Sequence, residues 1–158
     1  MFNEGRLNAL VMLLPGFMLL HASATLSHKG ATGIIKQRMD SMKEMETAAE
    51  AMADMVKNKA PFDPDLAYTS IVTLELHAQT LLDYFPDTPE SRTGNSTEAL
   101  PRIWSSWKDF TLLAESLVQE TDRLKQASVS GLDELTLRKG LKGITATCKN
   151  CHEDYREP

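Results

Sequence analysis

The chain has 158 residues, of which 42% are apolar and 25% charged, and a net charge of −5. That length suits one domain able to bury its own core without disulfide staples. The acidic balance argues against nucleic acid as a partner, which calls for a basic stripe, and offers no basic patch to an anionic lipid surface.

Residues 1–24 read as an export signal. Arg6 supplies the positive start and Ala9 to Leu20 an apolar core broken by Pro15 and Gly16. Ala22-Ser23-Ala24 fits a small-x-small cleavage site. The apolar run is well short of the ~20 residues of a spanning helix. Cleavage near Ala24 predicts a periplasmic domain over residues 25–158; left uncleaved, the segment would anchor it to the membrane.

Four helical segments follow. The first runs from about Thr32 to Lys57, with a seam at Ile35, Arg38, Met42, Met45, Ala49, Met52 and Val56. Pro61 and Pro64 prevent its continuation. The second opens with Asp63 as N-cap and Pro64 at the first helical position. Its apolar face is Ile71, Leu74, Ala78, Leu81 and Phe85, and Pro86 ends it. Asp87 to Glu98, rich in Ser, Thr, Gly and Pro, reads as a surface loop. The third starts near Leu100-Pro101 and aligns Ile103, Trp107, Phe110, Ala114, Leu117, Thr121 and Leu124. After a break at Ser128 to Gly131, the fourth starts near Leu132 and carries Leu137, Leu141, Ile144, Cys148, Cys151, His152 and Tyr155 on one side. Gly140 and Gly143 admit close approach of a neighbouring helix or a cofactor, or are tolerated surface positions. No strand-like alternation is present. Four amphipathic helices in series predict an all-α, antiparallel up-down-up-down four-helix bundle.

The two cysteines, Cys148 and Cys151, stand three apart and directly before His152. This is the spacing of a c-type haem attachment. On a helix the three side chains project to nearly one side, so two thiols can form thioethers to one haem edge and the imidazole can ligate iron from below. A thiol oxidoreductase also uses Cys-x-x-Cys, but at a helix N-terminus after a strand. A zinc site needs about four ligands, and His28 and His77 lie in other segments. No acid–base pair, Ser–His constellation or phosphate loop is apparent, so the chain does not read as an enzyme. His77 reads as a solvated or hydrogen-bonded helix residue. Asp40, Glu44, Glu46 and Glu50 read as a solvated face, and Trp104, Trp107 and Tyr155 as packing.

With that ending, the order Ile34-Ile35-Lys36-Gln37-Arg38, Met42-Lys43, Ala60-Pro61-Phe62-Asp63, Phe85-Pro86 and Leu100-Pro101-Arg102-Ile103-Trp104 resembles the class II c-type cytochromes, which include cytochromes c′ and c-556. The resemblance spans the chain after the signal. It implies one covalent haem c, with His152 proximal and Met42 facing the sixth iron position. It implies Arg38 one turn before, where a guanidinium can pair with a haem propionate, and Arg156 near the proximal face. Arg156 also suits a cation balancing the helix dipole. Met42 as a ligand favours low-spin iron and single-electron transfer with redox partner proteins. Met42 as core filling, in a helix that also holds Met39, Met45, Met52 and Met55, leaves an apolar pocket for small gas ligands such as nitric oxide or carbon monoxide. Many relatives are homodimers through the first two helices.

Overall fold

Helix α1 (Gly33–Val56) is followed by α2 (Pro64–Gln79), a 3₁₀ turn (Leu81–Tyr84), the short helices α3 (Pro89–Thr93) and α4 (Arg102–Ser105), and the long helices α5 (Trp107–Val129) and α6 (Glu134–Tyr155). The structure, a computed structural model, describes residues 30–94 and 96–158. The export signal read in residues 1–24 lies outside the described residues. The four long helices form a four-helix bundle in which α1 packs on α2, α2 on α5, α5 on α6 and α6 on α1. Among the described residues no helix is long and apolar enough to cross a membrane.

Side-chain caps set the starts of α2 and α6. The Asp63 side chain accepts from the Asp65 and Leu66 N–H groups, both at 3.0 Å, with Pro64 at the first helical position as expected. Asp133 accepts from Thr136 N–H at 2.7 Å, so α6 begins at Glu134. These bonds satisfy donors that a helix start leaves orphaned. The Asp133 carboxyl is held below its ordinary value, chiefly by its hydrogen bonds with Thr136.

The core contains Met52, Met55, Ile71, Leu74, Ile103, Phe110, Leu137 and Ile144, each nearly withdrawn from solvent. α1 is divided along its length. Its buried residues in the N-terminal half are Ile35, Arg38 and Ser41, and in the C-terminal half Met45, Ala48, Met52 and Met55. The first half therefore buries mainly polar side chains, and the second is wholly apolar.

Two expectations need correcting. The second helix is not continuous to Phe85: it stops at Thr80, and Leu81–Tyr84 tighten into a 3₁₀ turn that still places Leu81 and Phe85 in the core. The third is also interrupted. Ser106 leaves helical geometry (φ −120°, ψ 41°) between α4 and α5, which shifts the phase of the seam. Trp104 is consequently buried, and its indole N–H donates to the carbonyls of Phe85 and Pro86, while Trp107 is 39% exposed.

The two glycines of α6 face α5. A Cβ on Gly140 would collide with the Cγ and both methyls of buried Leu124, and one on Gly143 would meet the end of the Glu120 side chain. Helix propensity favours alanine by about 1 kcal/mol at either site, but overpacking against a buried branch point costs about 1–3 kcal/mol. Gly140→Ala is expected to lower the unfolding free energy, and Gly143→Ala to leave it unchanged or raise it because Glu120 can swing aside. Thermal unfolding of the two variants side by side checks the contrast.

Candidate cofactor site

The last turns of α6 bring Cys148, Cys151 and His152 together. Both cysteines are free, partly buried and packed against the hydrophobic core, whereas His152 is exposed. His152 borders an open cleft of about 350 Å³ shared with Lys149, Glu153, Arg156, Glu157 and Pro158. Burial pushes the Cys148 thiol up. It pushes Cys151 up to about 11, with Cys148 and Asp154 adding to the effect. Both are thus protonated at neutral pH, unlike the low-pKa thiolate of a disulfide oxidoreductase. Although the residue as a whole is exposed, partial desolvation of its ring lowers the His152 pKa, Arg156 lowers it further and Glu98 opposes them, so the neutral, metal-ligating imidazole is favoured.

The chain just beyond this motif is stitched to the segment preceding α4. Leu100 N–H donates to the Tyr155 carbonyl at 3.0 Å, Glu157 N–H donates to the Glu98 carbonyl at 2.8 Å, and Ala99 pairs antiparallel with Arg156. Arg156 lies 3.6 Å from the Glu98 carboxylate, and Arg102 lies 3.5 Å from that of Asp154. Tyr155 is buried edge-on against Phe110 at 5.2 Å. Arg156 is therefore a fastener of this tail in addition to any part it plays toward a cofactor.

On α1, Met42 is partly buried against the core. Arg38, one turn earlier, is only 5% exposed. Its Nε and Nη2 donate to the Tyr84 carbonyl at 3.1 and 3.0 Å. Nη2 also reaches the Ser91 carbonyl at 3.2 Å and hydroxyl at 2.6 Å, and Nη1 donates to Thr97 Oγ1 at 3.0 Å. The guanidinium lies 4.2 Å from the centre of the Phe85 ring. Every one of these partners is neutral. Burial alone lowers the Arg38 pKa, to about 10, so it stays cationic at neutral pH. A buried charge is ordinarily paired, yet among the described residues no carboxylate forms an ion pair with Arg38.

Sequence reasoning singled out Arg38 and Met42 but not their surroundings: Tyr84 falls in what reads as a continuous helix whose carbonyls bond within it, and Ser91 and Thr97 in a Ser/Thr-rich stretch that reads as a surface loop. Ser91 is in fact fully buried. It also missed the juxtaposition of His77 with α1. The His77 Nδ1 is 2.9 Å from Ser41 Oγ, and its Nε2 is 2.8 Å from Glu44 Oε2.

The residues present fit a covalent haem. Two thiols one turn apart, an imidazole beside them, and a buried cation with no carboxylate partner among the described residues suit thioether attachment, axial ligation and a propionate.

Comparison with known proteins agrees. The family model described as Cytochrome C′ matches residues 33–156. Cytochrome c′ of Rhodopseudomonas palustris is 32% identical over 79% of this chain and 82% of its own. Cytochrome c-556 of Agrobacterium tumefaciens is 30% identical over 78% of this chain and 97% of its own. A solved nitric oxide complex of a point variant of cytochrome c′ from Alcaligenes xylosoxidans superposes with a TM-score of 0.69 at 25% identity, covering 79% of this chain and 94% of that one. The bundle, the cysteine–histidine ending and the family match together place this chain in the cytochrome c′ family, the class II c-type cytochromes, whose cofactor is covalently attached haem c with its iron.

Proposed function

We propose that this protein is a periplasmic single-electron carrier in which Cys148 and Cys151 hold the haem, His152 is the proximal ligand and Met42 the distal one. The observation that carries the reading is the pairing of two features. The Cys148–His152 group ends α6, and on the adjacent helix α1 a thioether stands one turn after a buried guanidinium that forms no ion pair among the described residues. When bound, haem c supplies an iron that gains and loses one electron.

The chain's own residues do the rest. Cys148 and Cys151 fix the group against loss by dissociation. The tail pairing at Glu98 to Leu100 holds the last turn of α6, and with it His152, in place. Arg38 offers its charge to a propionate, which would relieve the cost of burying a guanidinium among neutral acceptors. Met42, as sixth ligand, would keep iron low-spin and raise the reduction potential over an open or His-only site. Export rests on the signal read in residues 1–24, with the working domain at 25–158. Redox partners with basic surfaces would meet an acidic protein, and such encounters weaken with salt. Among the described residues no grouping calls for catalysis beyond electron exchange. A homodimer through α1 and α2 is compatible with the exposed Leu66, Tyr68 and Leu76 on α2.

A second reading is favoured by the nitric oxide complex of the Alcaligenes relative. If Met42 packs without ligating, the sixth side is an apolar pocket for nitric oxide or carbon monoxide. Absorption spectra of the ferric and ferrous protein separate the two. The leading reading expects low-spin iron and slow carbon monoxide binding, and high-spin iron with rapid binding would overturn it.

Met42→Ala is expected to convert low-spin to high-spin iron, read by electron paramagnetic resonance and visible absorption. Cys148→Ser should leave at most one thioether, seen in the pyridine haemochrome spectrum. His152→Ala should retain covalent haem at least in part while losing the native proximal spectrum; an unaltered spectrum would remove His152 from its role.

A further inference from the structure

Non-directional packing is sparse along the half of α1 that carries Met42, where Ile35 is buried and Met42 only partly so. Between Gly33 and Glu44 its buried residues are Ile35, Arg38 and Ser41, and the apolar row begins only at Met45. Methionines, which dominate that row, are flexible and specify position poorly. Directional hydrogen bonds therefore take a large share in setting the rotation and height of the N-terminal half. Arg38 supplies one set of bonds, to the loop after α2. The other set comes from α2 itself. His77 is 13% exposed and stands with Nδ1 2.9 Å from Ser41 Oγ and Nε2 2.8 Å from Glu44 Oε2. Ser41 immediately precedes Met42, and Glu44 follows it by two residues. One imidazole thus grips α1 on both sides of the candidate distal ligand.

The arrangement is assembled for holding. In the neutral ring the hydrogen lies on Nε2, facing the acceptor-only Glu44 carboxylate, and Nδ1 accepts the Ser41 hydroxyl. Every polar atom of the ring is then used. A Ser–His–carboxylate series also occurs in hydrolases, but Ser41 is 3% exposed, so its oxygen is closed to a substrate.

We propose that His77 is the positioning residue for Met42, fixing the α1 segment from Ser41 to Glu44 so that the thioether is presented at one rotation and height toward the α6 site. The proposal rests on Met42 being the distal ligand, and its test separates the two ideas.

The experiment uses the haem-loaded protein and compares wild type with His77→Leu, His77→Gln and Ser41→Ala. The low-spin fraction is read by electron paramagnetic resonance and visible absorption, and carbon monoxide association by flash photolysis. His77→Leu is expected to shift the equilibrium between bound and unbound Met42 roughly tenfold toward unbound, the scale of one net hydrogen bond, with faster carbon monoxide binding. His77→Gln, which keeps an N–H donor and a carbonyl acceptor, should recover most of the low-spin fraction. Ser41→Ala should move it the same way by less, and it decides the matter if His77→Leu does not fold. A low-spin wild type whose spectrum and carbon monoxide rate survive His77→Leu, or survive Ser41→Ala where the former is unfolded, overturns the positioning role alone. A high-spin wild type overturns the Met42 reading and the positioning role with it.

Discussion

A guanidinium withdrawn from water must be given acceptors, and Arg38 receives all of its acceptors from the connection between α2 and α4. The Tyr84 carbonyl, Ser91 carbonyl and hydroxyl, and Thr97 hydroxyl converge on it, with the Phe85 ring stacked against its face. Leaving such acceptors buried and unpaired costs about 1–3 kcal/mol each, so this long connection is drawn against the bundle. The same connection then continues to Glu98 and Leu100, which pair with the backbone beyond Tyr155. Through one loop, the helix carrying Met42 and the helix carrying Cys148, Cys151 and His152 are referred to a common frame.

That frame explains the difference in texture between the two ends of the bundle. Around Met52, Met55, Ile71, Leu74 and Leu137 the helices meet mainly through apolar side chains, with the Glu75–Lys125 ion pair joining α2 to α5. At the other end α1 presents Arg38, Ser41 and, through Glu44, a contact with His77. A cofactor with an apolar macrocycle and anionic arms suits such an end, because it asks for both packing and a fixed charge. Burial raises both thiols, unlike the low-pKa thiolate used in reversible thiol exchange.

Much of this was legible in the residues. Asp63-Pro64 announces a helix start, Pro61 an end, and the step from Cys148 to His152 names its chemistry. What was not legible depended on geometry across segments. The seam from Ile103 to Trp107 assumes unbroken phase, and nothing in Ser105-Ser106 signals the kink that buries Trp104 in place of Trp107. Gly140 and Gly143 could have met a macrocycle or a helix; their Cβ positions show that they meet Leu124 and Glu120 of α5. Ser91 lies in a stretch whose composition says surface, and only the buried cation beside it explains why it is inside. His77 carried no local mark of its role, since its partners lie on another helix.

The uneven interior of α1 also bears on how the molecule breathes. Resistance to local opening follows buried apolar contact, and segments held by a few polar bonds exchange their amide hydrogens through smaller excursions. The stretch from Ile35 to Glu44 has such a grip, while Met45 to Val56 shares the fate of the whole domain. The end of α1 that carries Met42 can therefore open by a brief local fluctuation while the rest of the bundle stays folded.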